Sequence, residues 1–186
     1  IPLLVLLGFG GLEMANLALI NTRVSQIGLN TADNASRIAA GSNLAQPQVR
    51  EVDINEVFVG AEKQAKGLDL NGRGRIILSS LERNKDDGQW IHWQRCYGNM
   101  KVPSAYGPEG TGATGTSFKG MGPKHREVTA VSGTAVMFVE VIYQYDPLLY
   151  GKWLGPRTIR SAAAFNIREA RDLSGVKSPG TKASCT

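Results

Sequence analysis

Residues 1–20 read IPLLVLLGFGGLEMANLALI, and Glu13 is the one ionisable side chain among them. From Ile1 to Leu12 every residue is apolar, Gly or Pro. Twelve helical residues span about 18 Å, against about 30 Å of bilayer hydrocarbon. The segment can therefore cross a membrane in two ways. A span running through Glu13 to Ile20 buries a carboxylate, at about 2.5–3.5 kcal/mol on insertion scales. A span that begins upstream of Ile1 leaves Glu13 near the interface and avoids that cost, so it is the preferred reading. The chain begins with Ile rather than Met, which fits processing or truncation. A retained signal peptide would have a basic start, which these residues lack. A buried core helix of a soluble protein stays open as an alternative. So does a helix merely weakened by Gly8, Gly10 and Gly11, although in membranes small residues let neighbouring helices approach closely.

The helical pattern continues past Ile20. Leu17, Ile20, Val24, Ile27, Ala35 and Ile38 keep helical spacing, with Thr31 as the one polar residue on that stripe. Asn21, Arg23, Ser25, Gln26, Asn30, Asp33, Asn34 and Arg37 form the opposite face. Gly41-Ser42-Asn43 is a helix stop. A helix from Pro2 to Ala40 would be about 58 Å long. It would be apolar all round in its first third and amphipathic thereafter. Residues 1–40 thus read as an anchor or stalk, for a membrane or a filament core, that also carries one face of a head formed by residues 41–186.

After Pro47, Asp53-Ile54-Asn55-Glu56 reads as a capping box that opens a helix to about Lys66. Gly72-Arg73-Gly74 resets the chain. Arg75–Glu82 (RIILSSLE) and Trp90–Tyr97 (WIHWQRCY) are β-rich, with Asp87-Gly88 as a turn signal between them. Ala135–Tyr145 (AVMFVEVIYQY) is the strongest strand, with Met137, Val139, Val141, Tyr143 and Tyr145 on one face. Thr158–Arg168 carries three consecutive alanines, yet its pattern alternates, with Ile159, Ser161, Ala163, Phe165 and Ile167 on one side; it reads as a strand. Asn99–Arg126 holds six glycines and three prolines and makes a long, flexible Gly-rich loop at 98–126. The fold class is α+β: an antiparallel β-meander with helices packed on one face.

The composition is that of a globular chain: 186 residues, 42% hydrophobic and 20% charged, with net charge +5. From residue 152 onward seven cations stand against Glu169 and Asp172. This region reads as a solvated basic face, because it contains no run of five cations and no aromatic residues interleaved with basic ones; nucleic acid is not an expected partner. Gly110-Thr111-Gly112-Ala113-Thr114-Gly115 spells a dinucleotide fingerprint, but it follows Pro108-Glu109 in a loop and no helical pattern comes after it. His92 and His125 lack Cys or carboxylate neighbours at metal-ligand spacing. Alternation puts His92 with Trp90 and Cys96 on one strand face, an arrangement more often used for packing than for catalysis. The serines show no nucleophile elbow. These residues predict no enzyme, no catalytic or metal site and no cofactor.

Cys96 and Cys185 are the only cysteines. In a reducing compartment they would be packing residues. Outside the cytoplasm they would form one disulfide that pins the tail to the sheet. Glu13 implies a partner, either interfacial water or a cation or amide donor from a neighbouring subunit, or else it marks the membrane edge.

The segment PLLVLLGFGGLEMANLALINTRVSQIGLNTADNASR resembles the N-terminal helix of TadE-like pilus-assembly proteins, the minor pilins or pseudopilins of tight-adherence pili. GRIILSSLE, WQRC, AVMFVEVIYQYDPL and the terminal Cys185 are similar to the head of alphaproteobacterial members. Glu13 matches a glutamate at the end of the family's apolar run; the family's basic leader and its glutamate near the processing site have no counterpart in these residues. The resemblance implies a non-enzymatic pilin-like subunit, single-pass in the bacterial inner membrane with a periplasmic head, or part of a cell-surface filament. Its expected partners are other pilin-like subunits, inner-membrane pilus-assembly components and the membrane itself. A major filament subunit and a soluble periplasmic binding module or enzyme, with the glycine loop as a lid, stand as alternatives.

Overall fold

Four runs with apolar residues at alternate positions pair into one sheet, in a computed structural model that describes residues 2–39, 46–148 and 155–185. The strands are β1 (Gly74–Arg83), β2 (Gln89–Tyr97), β3 (Val136–Tyr145) and β4 (Arg157–Asn166). The helices are α1 (Pro2–Arg37), α2 (Glu51–Gln64) and the single turn α3 (Leu70–Arg73). The chain is thus α+β, with a long N-terminal helix and a head holding a second helix and an antiparallel sheet.

The sheet order is β2-β1-β3-β4. All pairs are antiparallel, but the expected chain-order meander is not what forms, because β3 pairs with β1 instead of β2. The reason lies on the free rim of β2. There Ile91 N–H donates to the Thr111 carbonyl (2.9 Å), Gly110 N–H donates to Ile91 O (2.8 Å), and Cys96 N–H donates to Ala183 O (2.9 Å). With that rim occupied, residues 98–135 run back along the sheet and bring β3 down the other side of β1.

The two faces of the sheet have different covers. Leu78, Val139 and Val141 are fully buried under α1 and α2, in one core with Val24, Ile27, Ala35, Ile54 and Phe58. Gly28 lets α1 pack tightly on β3: a Cβ there would sit 3.3 Å from Val141 Cγ2. Thr31, the polar residue on the stripe, is buried without cost to the core because its hydroxyl donates to Ile27 O (2.6 Å). The opposite face, with Leu81, Ile91, Val136 and Phe138, is covered by the Gly-rich segment through Met121, Phe118 and Tyr106, and by Ala130 just after it. Met121 is fully buried, Tyr106 meets Phe138 edge-on at 5.2 Å, and Gln89 bonds both backbone groups of Ala130. The loop expected to be flexible is a third packed layer.

The structure departs from expectation at the end of α1, at the start of α2 and inside β2. α1 ends at Arg37, and Gly41-Ser42-Asn43 lie outside the described residues. α2 begins at Glu51, not Asp53, because Arg50 is the extended residue at its N-cap; Asp53 accepts from the Arg50 N–H (3.0 Å) and guanidinium (2.7 Å). In β2 a bulge opposite Ser80/Leu81 takes up His92, so register resumes with Ile91 opposite Leu81. Trp90 and His92 stack at 4.0 Å, but Cys96 lies on the other face, against Ile77 and Ile142. The bulge breaks the alternation that put all three together.

Candidate functional site

α1 divides at Glu13. On the C-terminal side it is built into the head. On the N-terminal side it stands clear: Leu4 is 73% exposed, and Leu7, Phe9 and Leu12 are all about half exposed or more. Nothing lies within 4 Å of where a Cβ would sit on Gly8, Gly10 or Gly11. Met14 and Leu19 extend the exposed apolar surface along the outer side of the helix. Among the described residues, no helix is long and apolar enough to cross a membrane.

Glu13 sits where the helix meets the head, and it is 6% exposed. Tyr145, the last residue of β3, donates its hydroxyl to Glu13 Oε1, and Asn16 Nδ2 donates to the same hydroxyl oxygen (2.7 Å). Burial, and then the Glu13 carboxylate, push the Tyr145 phenol above its ordinary range. The sequence implies a partner for Glu13 in interfacial water or a neighbouring subunit, or else a place at the membrane edge; the structure supplies a partner from the same chain, 132 positions away. Alternation along β3 places Tyr145 with Met137, Val139, Val141 and Tyr143, and all five lie on the helix-covered face. Which α1 residue it would meet was not legible, because the pairing follows from tilt and register, not from spacing.

Cys96 and Cys185 form a disulfide with Cα atoms 4.8 Å apart. They lie on the loop-covered face, whereas Tyr145 faces the helices. The tail reaches Cys96 by crossing the start of α2. Glu51 N–H donates to Lys177 O (2.9 Å), Val52 N–H to Pro179 O (3.0 Å), and Asn55 Nδ2 to Thr181 O (3.0 Å). An ion-pair network beside it escaped the sequence reading. Buried Arg95 forms a two-pronged pair with Glu51, its Nη1 donates to Glu109 Oε2 (2.8 Å), and Glu109 also pairs with Lys182 (3.2 Å). Helix, strand, loop and tail thus share one set of charges.

The remaining candidates are structural. Gly112 has φ +77, and a Cβ there would fall 2.3 Å from Gln89 O. Asn84 Nδ2 donates to the carbonyls of Gly112 and Gly115 (2.7 and 2.8 Å), and Gly115 N–H donates to Asp86. The glycine string is therefore docked on the β1–β2 turn, and no helix follows it among the described residues. His92 Nδ1 meets Glu82 Oε2 at 2.8 Å, and Ser80 donates to the other Glu82 oxygen (2.7 Å). The hydroxyl faces the carboxylate and not the imidazole, so this is not a nucleophile–base pair. No cluster of metal-ligating side chains occurs among the described residues. Compared with protein-family models, curated proteins and solved structures, the chain matches none.

Proposed function

We propose that the chain is a non-enzymatic pilin-like subunit of a bacterial tight-adherence pilus system, held in its assembly by the N-terminal part of α1. The observation that carries this reading is the division of one continuous helix at Glu13. Residues on the C-terminal side fill the head core, while Leu4, Leu7, Phe9 and Leu12 stand in the open, with no described head residue to cover them. Exposed apolar surface of this kind marks a site of contact with lipid or protein. The resemblance of residues 2–37 to the TadE-like helix supplies the class. The Cys96–Cys185 bond supports a head outside the cytoplasm.

In this reading the head is periplasmic or on the cell surface, and the first twelve residues pack in the inner membrane or among the same segments of neighbouring pilin-like subunits. Deleting residues 1–12 tests it while leaving the Glu13–Tyr145 contact in place. The expected result is a folded, disulfide-bonded head released from the membrane or filament fraction. A deletion variant that stays in that fraction would overturn the assignment of the helix as the anchor. Micrographs of cells carrying the deletion separate the two roles: loss of all filaments marks a main subunit, whereas altered number or length marks a minor one.

A further inference from the structure

On the loop-covered side of the sheet lies a cleft of about 440 Å³, walled by the Cys96–Cys185 disulfide, Ile77 and the loop residues Val102, Pro103 and Pro108. Arg75 lines it and is 4% exposed. Its Nη1 donates to Gly98 O (3.1 Å) and its Nη2 to Cys185 O (2.6 Å), but its Nε is buried without a hydrogen-bond partner. A guanidinium presents five N–H donors. Two are occupied by neutral carbonyls, and no carboxylate pairs with Arg75 among the described residues. The one acid among the described residues lining the cleft, Glu109, is already held by Arg95, Lys182 and the Gln94 N–H. A buried cation bonded only to neutral carbonyls is an unfavourable arrangement that an anion in the cleft would offset.

We propose that this cleft is a binding site for a carboxylate that carries a short apolar chain, with Arg75 as the anion's partner. One uncompensated charge suits a monoanion. The carboxylate of Glu109 on the same wall disfavours a dianion such as phosphate, and Lys182, the other cation lining the cleft, is neutralised by that same Glu109. The aliphatic and proline walls accept the chain that an inorganic ion lacks. Two sources present this chemistry, a short fatty acid and the free carboxyl end of an apolar peptide. Burial that holds the Arg75 guanidinium below its ordinary pKa is consistent with a site awaiting a counter-charge.

The test is a titration of the full chain, disulfide intact and in non-ionic detergent, followed by the Arg75 Nε–H resonance. Butyrate represents the fatty acid and N-acetyl-alanyl-valine the peptide end; N-acetyl-valinamide and inorganic phosphate are the controls. A saturable shift with either carboxylate and none with the controls is the expected result, and the tighter of the two identifies the source. Arg75→Met should weaken binding by about tenfold or more. Since that change also removes bonds to two carbonyls, Val102→Phe serves as a second variant, filling the cleft while leaving Arg75 in place. A resonance unmoved by both acids, an equal response to phosphate or the amide, or full binding by Val102→Phe would each overturn the proposal.

Discussion

Tyr145→Phe is the sharpest probe of how the helix is joined to the head. The ring stays, so packing is preserved, and only the hydroxyl between Glu13 and Asn16 is lost. A hydrogen bond to a charged group contributes about 1.5–3 kcal/mol, and leaving buried partners short of a donor adds to the loss, so the variant should be destabilised by about 2–4 kcal/mol. Glu13→Gln keeps an acceptor oxygen for the hydroxyl and should cost about 1 kcal/mol. The double variant should fall short of the sum by about 1 kcal/mol or more, since both changes act on one contact. Urea unfolding followed by circular dichroism, with all four proteins in the same detergent, gives these values. The pH dependence supplies a second reading. The Tyr145 phenol is raised in the folded chain, so its stabilisation is fully present below the unfolded value of about 10 and is lost as pH rises through the higher folded one. Tyr145→Phe should lack that alkaline loss. Additive effects within about 0.3 kcal/mol, with alkaline profiles that coincide, would refute the docking of α1 at this point.

Replacing both Cys96 and Cys185 with Ser opens a link between residues 89 positions apart, and in the chain-entropy treatment it should cost about 4–5 kcal/mol, read as a lower urea midpoint. Glu140 is 5% exposed, and burial raises its carboxyl pKa against the opposing bonds from Ser104 and the Ala105 N–H. Its ionisation therefore disfavours the fold, so Glu140→Gln should be more stable than the parent at pH 7. That advantage should shrink as pH falls through the raised folded value; an advantage constant between pH 4 and pH 8 would contradict the assignment. Gly10→Leu, at a position with open space around it, should leave the urea midpoint of the head unchanged but reduce recovery in the membrane or filament fraction; normal recovery would argue against close helix contacts there.

Alternation made the four strands legible, including β4, whose three alanines suggest a helix until Ile159, Ala163 and Phe165 are seen to share a side. The stripe from Leu17 to Ala35 likewise announced which side of α1 is buried. Strand order was not legible, because β2 offers β3 a rim that differs from β1's only in being covered by Thr111 and Ala183, residues of a loop and a tail whose courses have no periodicity. The bulge at His92 was hidden for a similar reason: Trp90 and His92 look alternating whether or not a residue is inserted. Asp53 gave the right capping chemistry at the wrong place, since Arg50 has a side chain not usually read as a cap. Arg75 meets a carbonyl of the tail, and Arg95 meets Glu51 of α2 and Glu109 of the loop; these are long-range contacts that local sequence does not encode.

The two rims of the sheet are unequal, and this sets how copies of the chain can meet. β2 has its outward backbone groups taken by residues of its own chain, so a strand from another molecule finds little to bond there. β4 is the other outermost strand, and it exposes Arg157 and Arg160. Two molecules approaching through β4 would bring like charges together, an arrangement that discourages fusion of sheets into an endless ribbon. Crowding many heads side by side, as a shared helical core would require, then carries little risk of the heads merging. In the proposed assembly α1 would supply the cohesion and β4 the mutual repulsion, so that neighbours could be tightly joined at one end and still remain separate bodies at the other.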